Sequence, residues 1–224
     1  MLSYSHVLIK SINYNLCSYS FLTLITCLIS SCTSQEDESK LVRRCFENYK
    51  SAIHTDKGVE AVKFVDSRTI KYYDHISELT KNADSAKVNS LPLMDKIMVF
   101  SIRHRATKED ILSFDGKGLL IYAIKTGMVA KNGVATITIG DVTYTKDFAK
   151  GQFITNGQKT PIYYNFYKEN QQRKIDLTSL FSVSTMAFKK MVTDSGQSEN
   201  ECLFSLLEIV TGKKPGNYIW DAVK

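Results

Sequence analysis

The sequence has little of several residue types on which common functional sites depend. Only three of its 224 residues are proline, one is tryptophan and four are histidine. His54, His75 and His104 do not have the i, i+4 spacing of a helical metal site, so we expect no bound metal. There is no Gly-Xaa-Ser-Xaa-Gly elbow, and Gly116 and Gly118 lack the rest of a nucleotide-binding loop. We therefore expect no cofactor.

Charge of one sign and long apolar runs are also scarce. The chain has 29 Lys and Arg against 23 Asp and Glu, with no run of five or more like charges. A nucleic-acid interface usually needs a basic patch, so we expect no nucleic-acid partner. The apolar stretch Phe21 to Ser30 is well below the roughly 18 to 20 residues that cross a bilayer. Its length is typical of the core of a signal peptide.

The residues around Cys32 have the order of a lipid-attachment site. Ile29-Ser30-Ser31-Cys32 follows the apolar stretch and precedes the polar segment Thr33 to Lys40. This arrangement resembles the lipobox of bacterial lipoproteins, in which the signal peptide is removed and the cysteine becomes the lipidated first residue. Lys10 is the one basic residue before it, fewer than export signals usually have, which leaves the true start codon open.

The resemblance implies a signal peptide over residues 1–31, a polar tether over 32–40 and a single domain over 41–224. The protein would be anchored in the bacterial cell envelope, in the outer membrane, facing the periplasm or the surface. The membrane would then be a partner through the lipid on Cys32. Of the five cysteines, Cys45 and Cys202 alone would remain as thiols, and we expect both to be buried and free rather than paired.

Hydrophobic spacing predicts helices at the start and end of the domain. From residue 41 the apolar residues recur every three or four positions: Val42, Cys45, Phe46, Tyr49 and Ile53. We expect Ser67 to cap a second helix, a loop over residues 82–92, and a capping box at Thr107 and Asp110. Residues 178–191 and 197–210 are again helical in composition.

Between these helical regions the pattern changes to alternation, which predicts strands. The four candidates are Ala135 to Ile139, Thr143 to Ile154, Pro161 to Lys168 and Arg173 to Leu177. Asn156-Gly157 and Asn170-Gln171 separate the later strands, and the first pair is a strong two-residue hairpin sequence. Strands joined by short turns are antiparallel, so we predict an α+β fold with helices packed on a curved antiparallel sheet.

Two strand segments also carry a family resemblance. Tyr163-Tyr164-Asn165-Phe166-Tyr167-Lys168-Glu169 and Arg173-Lys174-Ile175-Asp176-Leu177, after a helical opening from Tyr49 to Tyr73, are similar to the nuclear transport factor 2-like (cystatin-like cone) superfamily. The resemblance covers residues 41–177 and includes a long helical insert between Lys81 and Lys131. Arg173 stands where the family usually has tryptophan. The superfamily contains enzymes, small-molecule binders and interaction modules, so it implies a fold and not a function.

The candidate binding residues fall in two groups. Arg103 and Arg105 flank His104 and could clamp an anion, although basic residues are also favoured at a helix end by the helix dipole. Tyr164 and Phe166 share one strand face, which is either core or the lining of a pocket.

Asp176 is the candidate general base, because the resemblance places it near the mouth of the cone. That role would need a raised pKa and a substrate proton within about 3 Å. The sequence offers no second acid, histidine or oxyanion donor beside it.

Three functions remain open from the sequence. The first is a non-catalytic envelope lipoprotein that binds a small molecule, peptide or protein. The second is a pocket enzyme, a lyase, isomerase or hydrolase, with Asp176 as its base. The third is a structural or immunity-type module that uses the final helix and Trp220 as a contact surface. A homodimer through the open sheet face is compatible with the fold family.

Overall fold

The computed structural model describes residues 37–129 and 131–223. The predicted signal peptide and Cys32 lie outside these residues. The described part is an α+β fold with a four-stranded antiparallel sheet, which confirms the predicted fold class at that level. Residues from Glu38 onward form one compact unit with a continuous hydrophobic core. We therefore expect this unit to fold without the residues that precede it.

The helices lie before and after the sheet in the sequence. Within the described residues there are ten: α1 Glu38–His54, α2 Gly58–Val62, α3 Ser67–Asn82, α4 Ser85–Asn89, α5 Leu93–Arg105, α6 Lys108–Ser113, α7 Gly116–Lys125, α8 Lys131–Ala135, α9 Phe181–Ser195 and α10 Glu199–Thr211. There are two 3₁₀ turns in the described residues: Leu177–Leu180 precedes α9, and Asn217–Trp220 follows α10.

The sheet is a meander of β1 Ile137–Tyr144, β2 Phe148–Thr155, β3 Gln158–Glu169 and β4 Gln172–Asp176, paired in that order. Asn156 and Gly157, both with positive φ, form the turn between β2 and β3 as predicted. Asn170 and Gln171 form the next turn, also with positive φ. Val65 adds a short parallel bridge to Ile175 on the outer side of β4.

The core is formed where α1 packs on one face of the sheet. The predicted apolar face of α1 is buried, and Phe46 contacts Tyr164 of β3 with ring centroids 5.8 Å apart. Tyr49, Tyr73 and Tyr164 are also buried, and burial raises the pKa of the Tyr73 hydroxyl to about 12. The core on this face of the sheet is therefore rich in buried aromatic side chains.

Several predicted helix boundaries were wrong because the helices use different capping residues. The helix cap at the start of α3 is Asp66, not Ser67, since its carboxylate accepts from the backbone N–H of Thr69. The predicted loop over 82–92 contains α4, which Asp84 caps. The capping box of Thr107 and Asp110 is confirmed, but Asp115 starts a separate helix at Gly116.

Three further boundaries differ around the sheet and the tether. The predicted strand Thr143 to Ile154 is split by a turn at residues 145–147, where the N–H of Thr145 donates to the carbonyl of Phe148. Residues 131–135 are helical, so β1 begins only at Ile137. Residues 38–40, which we assigned to the polar tether, are the first turn of α1.

Gly116 allows α7 to pack closely against α3. A Cβ at this position would lie 2.4 Å from the carbonyl oxygen of Ile70 and 2.7 Å from the Asp74 side chain. The Gly116 N–H also donates to the Asp74 carboxylate. The α3–α7 crossing thus requires the absence of a side chain here.

We expect Gly116→Ala to lower the free energy of unfolding by about 2 kcal/mol, because the backbone of α3 must move to admit a methyl group. Urea unfolding followed by circular dichroism measures the change. Gly118→Ala is the matched control, since its Cβ would approach only the Asp115 carboxylate at 3.1 Å and Phe114 at 3.9 Å. Equal stability of Gly116→Ala and wild type would contradict the close helix crossing.

Candidate functional site

Asp176 ends β4 and caps the 3₁₀ turn that follows. Its carboxylate oxygen Oδ1 accepts from the backbone N–H of Thr178 at 2.9 Å and from the Thr178 hydroxyl at 2.5 Å. The residue is only 6% exposed. These contacts give Asp176 a local structural role at the start of the turn.

Tyr164 and Phe166 lie on the same face of β3, as predicted, and that face is core. Phe166 is fully buried, and Tyr164 contacts Phe153 with ring centroids 4.7 Å apart. Tyr163, on the opposite face, is partly exposed. Of the two interpretations of these aromatic residues, core or pocket lining, their burial favours core.

Arg103 and His104 of α5 make hydrogen bonds to other parts of the chain. Arg103 is buried, and its guanidinium donates to the carbonyls of Leu79, Thr80 and Ala83 at the end of α3 and to that of Ile219. Burial lowers the pKa of Arg103, and the charge of Asp221 opposes this. The guanidinium that we predicted to bind an anion is therefore already hydrogen-bonded to four backbone carbonyls.

His104 and Arg105 face different surroundings from Arg103. His104 bonds through Nδ1 to the Tyr218 hydroxyl and through Nε2 to the Thr211 hydroxyl, both at 2.9 Å. The Arg105 charge acts on Tyr122 of α7, and its buried Nε has no partner among the described residues. The structure does not bring Arg103 and Arg105 together into one clamp.

The C-terminal segment is held against α5 and α10. Trp220 packs on Phe100 and Phe204, with ring centroids 4.8 Å and 5.9 Å away. Tyr218 is exposed beside it, and Ile209 and Val210 are exposed on α10. The indole of Trp220 is thus half-buried rather than the centre of an exposed aromatic patch.

Cys45 and Cys202 are both buried and free, as expected. The Cys45 thiol donates to the carbonyl of Arg173 at 2.9 Å. Burial raises the pKa of this thiol to about 12, against the opposing charge of Lys174. Cys45 is therefore an inert core thiol at neutral pH.

Arg173 forms an ionic contact between β4 and the start of α1. Its Nε donates to Glu38 at 2.9 Å, and its Nη2 donates to the carbonyls of Thr145 and Lys146. Lys168 also pairs with Glu38. Burial opposes ionisation of Glu38, but the hydrogen bonds and charges of Arg173 and Lys168 outweigh it and lower its pKa.

The lowered pKa of Glu38 predicts a pH-dependent stability. The stabilisation is complete above the unfolded pKa, near 4.5, and is lost as the pH falls through the lower folded pKa. We expect wild type to exceed Glu38→Gln in unfolding free energy at pH 7, with the difference shrinking steadily below about pH 4.5. Urea unfolding at a series of pH values tests this. A difference that is constant with pH would contradict the ionic contact.

A cleft opens beside the outer edge of β4, with a volume of about 550 Å³. It is lined by the ends of β3 and β4 and by α2, α3, α7 and the α2–α3 connection. The apolar lining consists of Val59, Val62, Val65, Ile70 and Ile121, and the polar lining of Lys63, Ser67, Lys71, Lys117, Glu169 and Lys174. We call this set the lysine-rimmed cleft.

Glu169 is held within the cleft by the first turn of α3. Its carboxylate accepts from the backbone N–H of Ser67 at 3.0 Å and from the Ser67 hydroxyl at 2.7 Å. A carboxylate at a helix N-terminus is stabilised by the helix dipole. Asp176 does not line this cleft, and neither do Tyr164, Phe166, Arg103 or Arg105.

The sequence gives no local pattern that would identify the cleft. Its lining residues come from positions 59–71, 117–121 and 169–174, which only the fold brings together. The spacing of Val59, Val62 and Val65 predicts a buried helical face rather than a binding surface. The α3–α7 packing at Gly116 is what places the second segment, residues 117–121, beside the first.

Comparison of the chain with models of protein families, with curated proteins and with solved structures finds no match. No helix in the described part is long and apolar enough to cross a membrane. Over residues 37–129 and 131–223, no three His, Cys, Asp or Glu side chains are grouped so that they could hold a metal ion.

Proposed function

We propose that this protein is a lipid-anchored cell-envelope protein whose domain is a non-catalytic binding module. The observation that supports a binding role is the lysine-rimmed cleft. Its volume and its largely apolar lining are typical of small-molecule sites. The anchor is proposed from the sequence around Cys32, and the cleft is the site at which the domain would take its ligand.

The domain is further proposed to be an NTF2-like cone with an added helical insert. Support comes from α1 and α3 preceding a four-stranded antiparallel meander, with α1 packed on its inner face. Arg173, at the position where the family usually has tryptophan, pairs with Glu38 at the start of α1. The proposed cone is filled by aromatic residues, so the binding site is assigned to the outer cleft.

The binding role is tested with a neutral apolar reporter, N-phenyl-1-naphthylamine, and the chain from residue 33 onward. We expect saturable binding that Val59→Asp weakens about tenfold, because an aspartate would replace apolar lining that a ligand must cover. Val59 is 62% exposed, so this substitution should not disturb folding.

Leu112→Asp is the matched control, since Leu112 is exposed on α6 and does not line the cleft. It should bind the reporter as wild type does, and thermal unfolding should show that both variants are folded. Equal binding by wild type and Val59→Asp would contradict the assignment of the cleft as the binding site.

A further inference from the structure

The side chains that line the cleft carry an excess of positive charge. Four lysines stand against one glutamate, a net charge of +3 among the described lining residues. Lys63 pairs with Glu60 at 2.8 Å, but both side chains are more than half exposed, and such pairs are weak. The cleft therefore presents mostly uncompensated lysines to whatever enters it.

The one lining carboxylate is already engaged. Ser67 donates to Glu169 through both its backbone and its hydroxyl, which keeps the carboxylate at the first turn of α3. Lys174, across the cleft mouth, donates through Nζ to the Lys63 carbonyl and to Gln172. Glu169 and Lys174 are thus held by uncharged partners rather than by each other.

Lys71 and Lys117 are placed on facing helices by the α3–α7 packing. Gly116 lies against the backbone of Ile70, so the next residue on each helix, Lys117 and Lys71, flanks the same crossing. Both side chains are exposed, and neither has an ion-pair partner within the described chain. Both lysines line the same cleft, so an anion that enters it can make charge-assisted contacts with either ammonium group.

The apolar lining restricts what kind of anion fits. Five aliphatic side chains line the cleft, and Val59 among them is largely exposed. A small inorganic anion would leave this surface in water, whereas an aliphatic chain would cover it. A ligand that contacts both the lysines and the aliphatic lining has an anionic end and an apolar chain.

We propose that the lysine-rimmed cleft binds a single-chain amphiphile with an anionic headgroup. This inference rests on the proposed function, since it names the ligand class of the same cleft. The headgroup lies between Lys71 and Lys117, and the chain lies on Val62, Val65 and Ile121. The volume of the cleft is that of a site for one small molecule, so we assign it a single amphiphile rather than a membrane surface.

The test compares three amphiphiles with aliphatic chains of nearly equal length and different headgroups. Dodecanoate, dodecyltrimethylammonium and dodecyl maltoside are titrated, below micelle formation, into the chain from residue 33 onward by calorimetry. We expect dodecanoate to bind at least about tenfold more tightly than the other two, because its headgroup makes charge-assisted contacts with lysine. Raising the salt concentration should reduce this preference.

Charge reversal locates the headgroup. Lys71→Glu combined with Lys117→Glu should remove the preference for dodecanoate, measured as the ratio of its affinity to that of dodecyl maltoside for the same variant. Lys189→Glu, an exposed lysine of α9 outside the cleft, is the control and should retain the preference. Thermal unfolding of each variant shows whether it is folded.

Four results would overturn the inference. Equal binding of the three amphiphiles would leave the cleft as a binding site and refute the anionic ligand class. Binding of N-phenyl-1-naphthylamine without binding of dodecanoate would also refute the anionic ligand class while leaving the cleft as a binding site. Lysine-dependent binding to vesicles of anionic phospholipid, with no binding of monomeric dodecanoate, would assign the lysines to a membrane surface. Failure of every probe, the neutral reporter included, would refute the proposed binding role as well.

Discussion

Arg103→Met should be among the most destabilising single substitutions in this domain, lowering the free energy of unfolding by about 3 to 5 kcal/mol. The guanidinium supplies donors to three carbonyls at the end of α3 and to the carbonyl of Ile219. Methionine fills a similar volume but donates nothing, so four acceptors lose their partner in a buried environment. Chemical denaturation monitored by the fluorescence of Trp220 measures the loss.

Arg43→Met is the matched control for this substitution. Arg43 also donates to two backbone carbonyls, those of Ile139 and Gly140, but its side chain is exposed. Water can replace such contacts, so we expect a loss of less than about 1 kcal/mol. Arg103→Lys should be intermediate, because a single ammonium cannot reach all four acceptors. Equal effects of Arg103→Met and Arg43→Met would contradict the structural role assigned to Arg103.

Arg173→Met should cost about 3 kcal/mol, because Glu38 would lose its buried partner and the β1–β2 turn would lose two donors. The loss should be concentrated at the start of α1 and at residues 145–147. Hydrogen exchange at these two places distinguishes a local opening from a general loss of stability.

A double-mutant cycle with Glu38→Gln isolates the ionic contact. The two substitutions together should cost less than the sum of the separate losses, because each removes the same contact. Strict additivity of the two losses would show that Glu38 and Arg173 act independently. The fluorescence and exchange measurements need only a folded domain and no knowledge of the ligand.

Local sequence patterns predicted the sheet and the main helices well. The alternation of apolar residues and the Asn156-Gly157 turn are properties of neighbouring residues, and the structure has the meander they predict. The turn at residues 145–147 was missed because it contains neither glycine nor proline. The start of α3 was misplaced by one residue because aspartate and serine are both good capping residues, and it is the Asp66 carboxylate that accepts from the backbone N–H of Thr69.

The roles of the candidate site residues were much harder to predict, because they depend on contacts that the residue types alone do not specify. Arg103 has the sequence context of an anion clamp, yet its acceptors are contributed by α3 and by residue 219. Asp176 has the context of a general base, yet it caps the turn beside it. The lysine-rimmed cleft combines three separated segments, so no window of sequence contains it.

The central claim, a tethered envelope protein, is tested most directly by the intact mass of the protein after detergent extraction. Wild type and Cys32→Ala would both be expressed in a Gram-negative host and measured by mass spectrometry. The account predicts that wild type loses residues 1–31 and gains acyl mass, and that the substitution abolishes both changes. An unmodified full-length chain in the soluble fraction would contradict it.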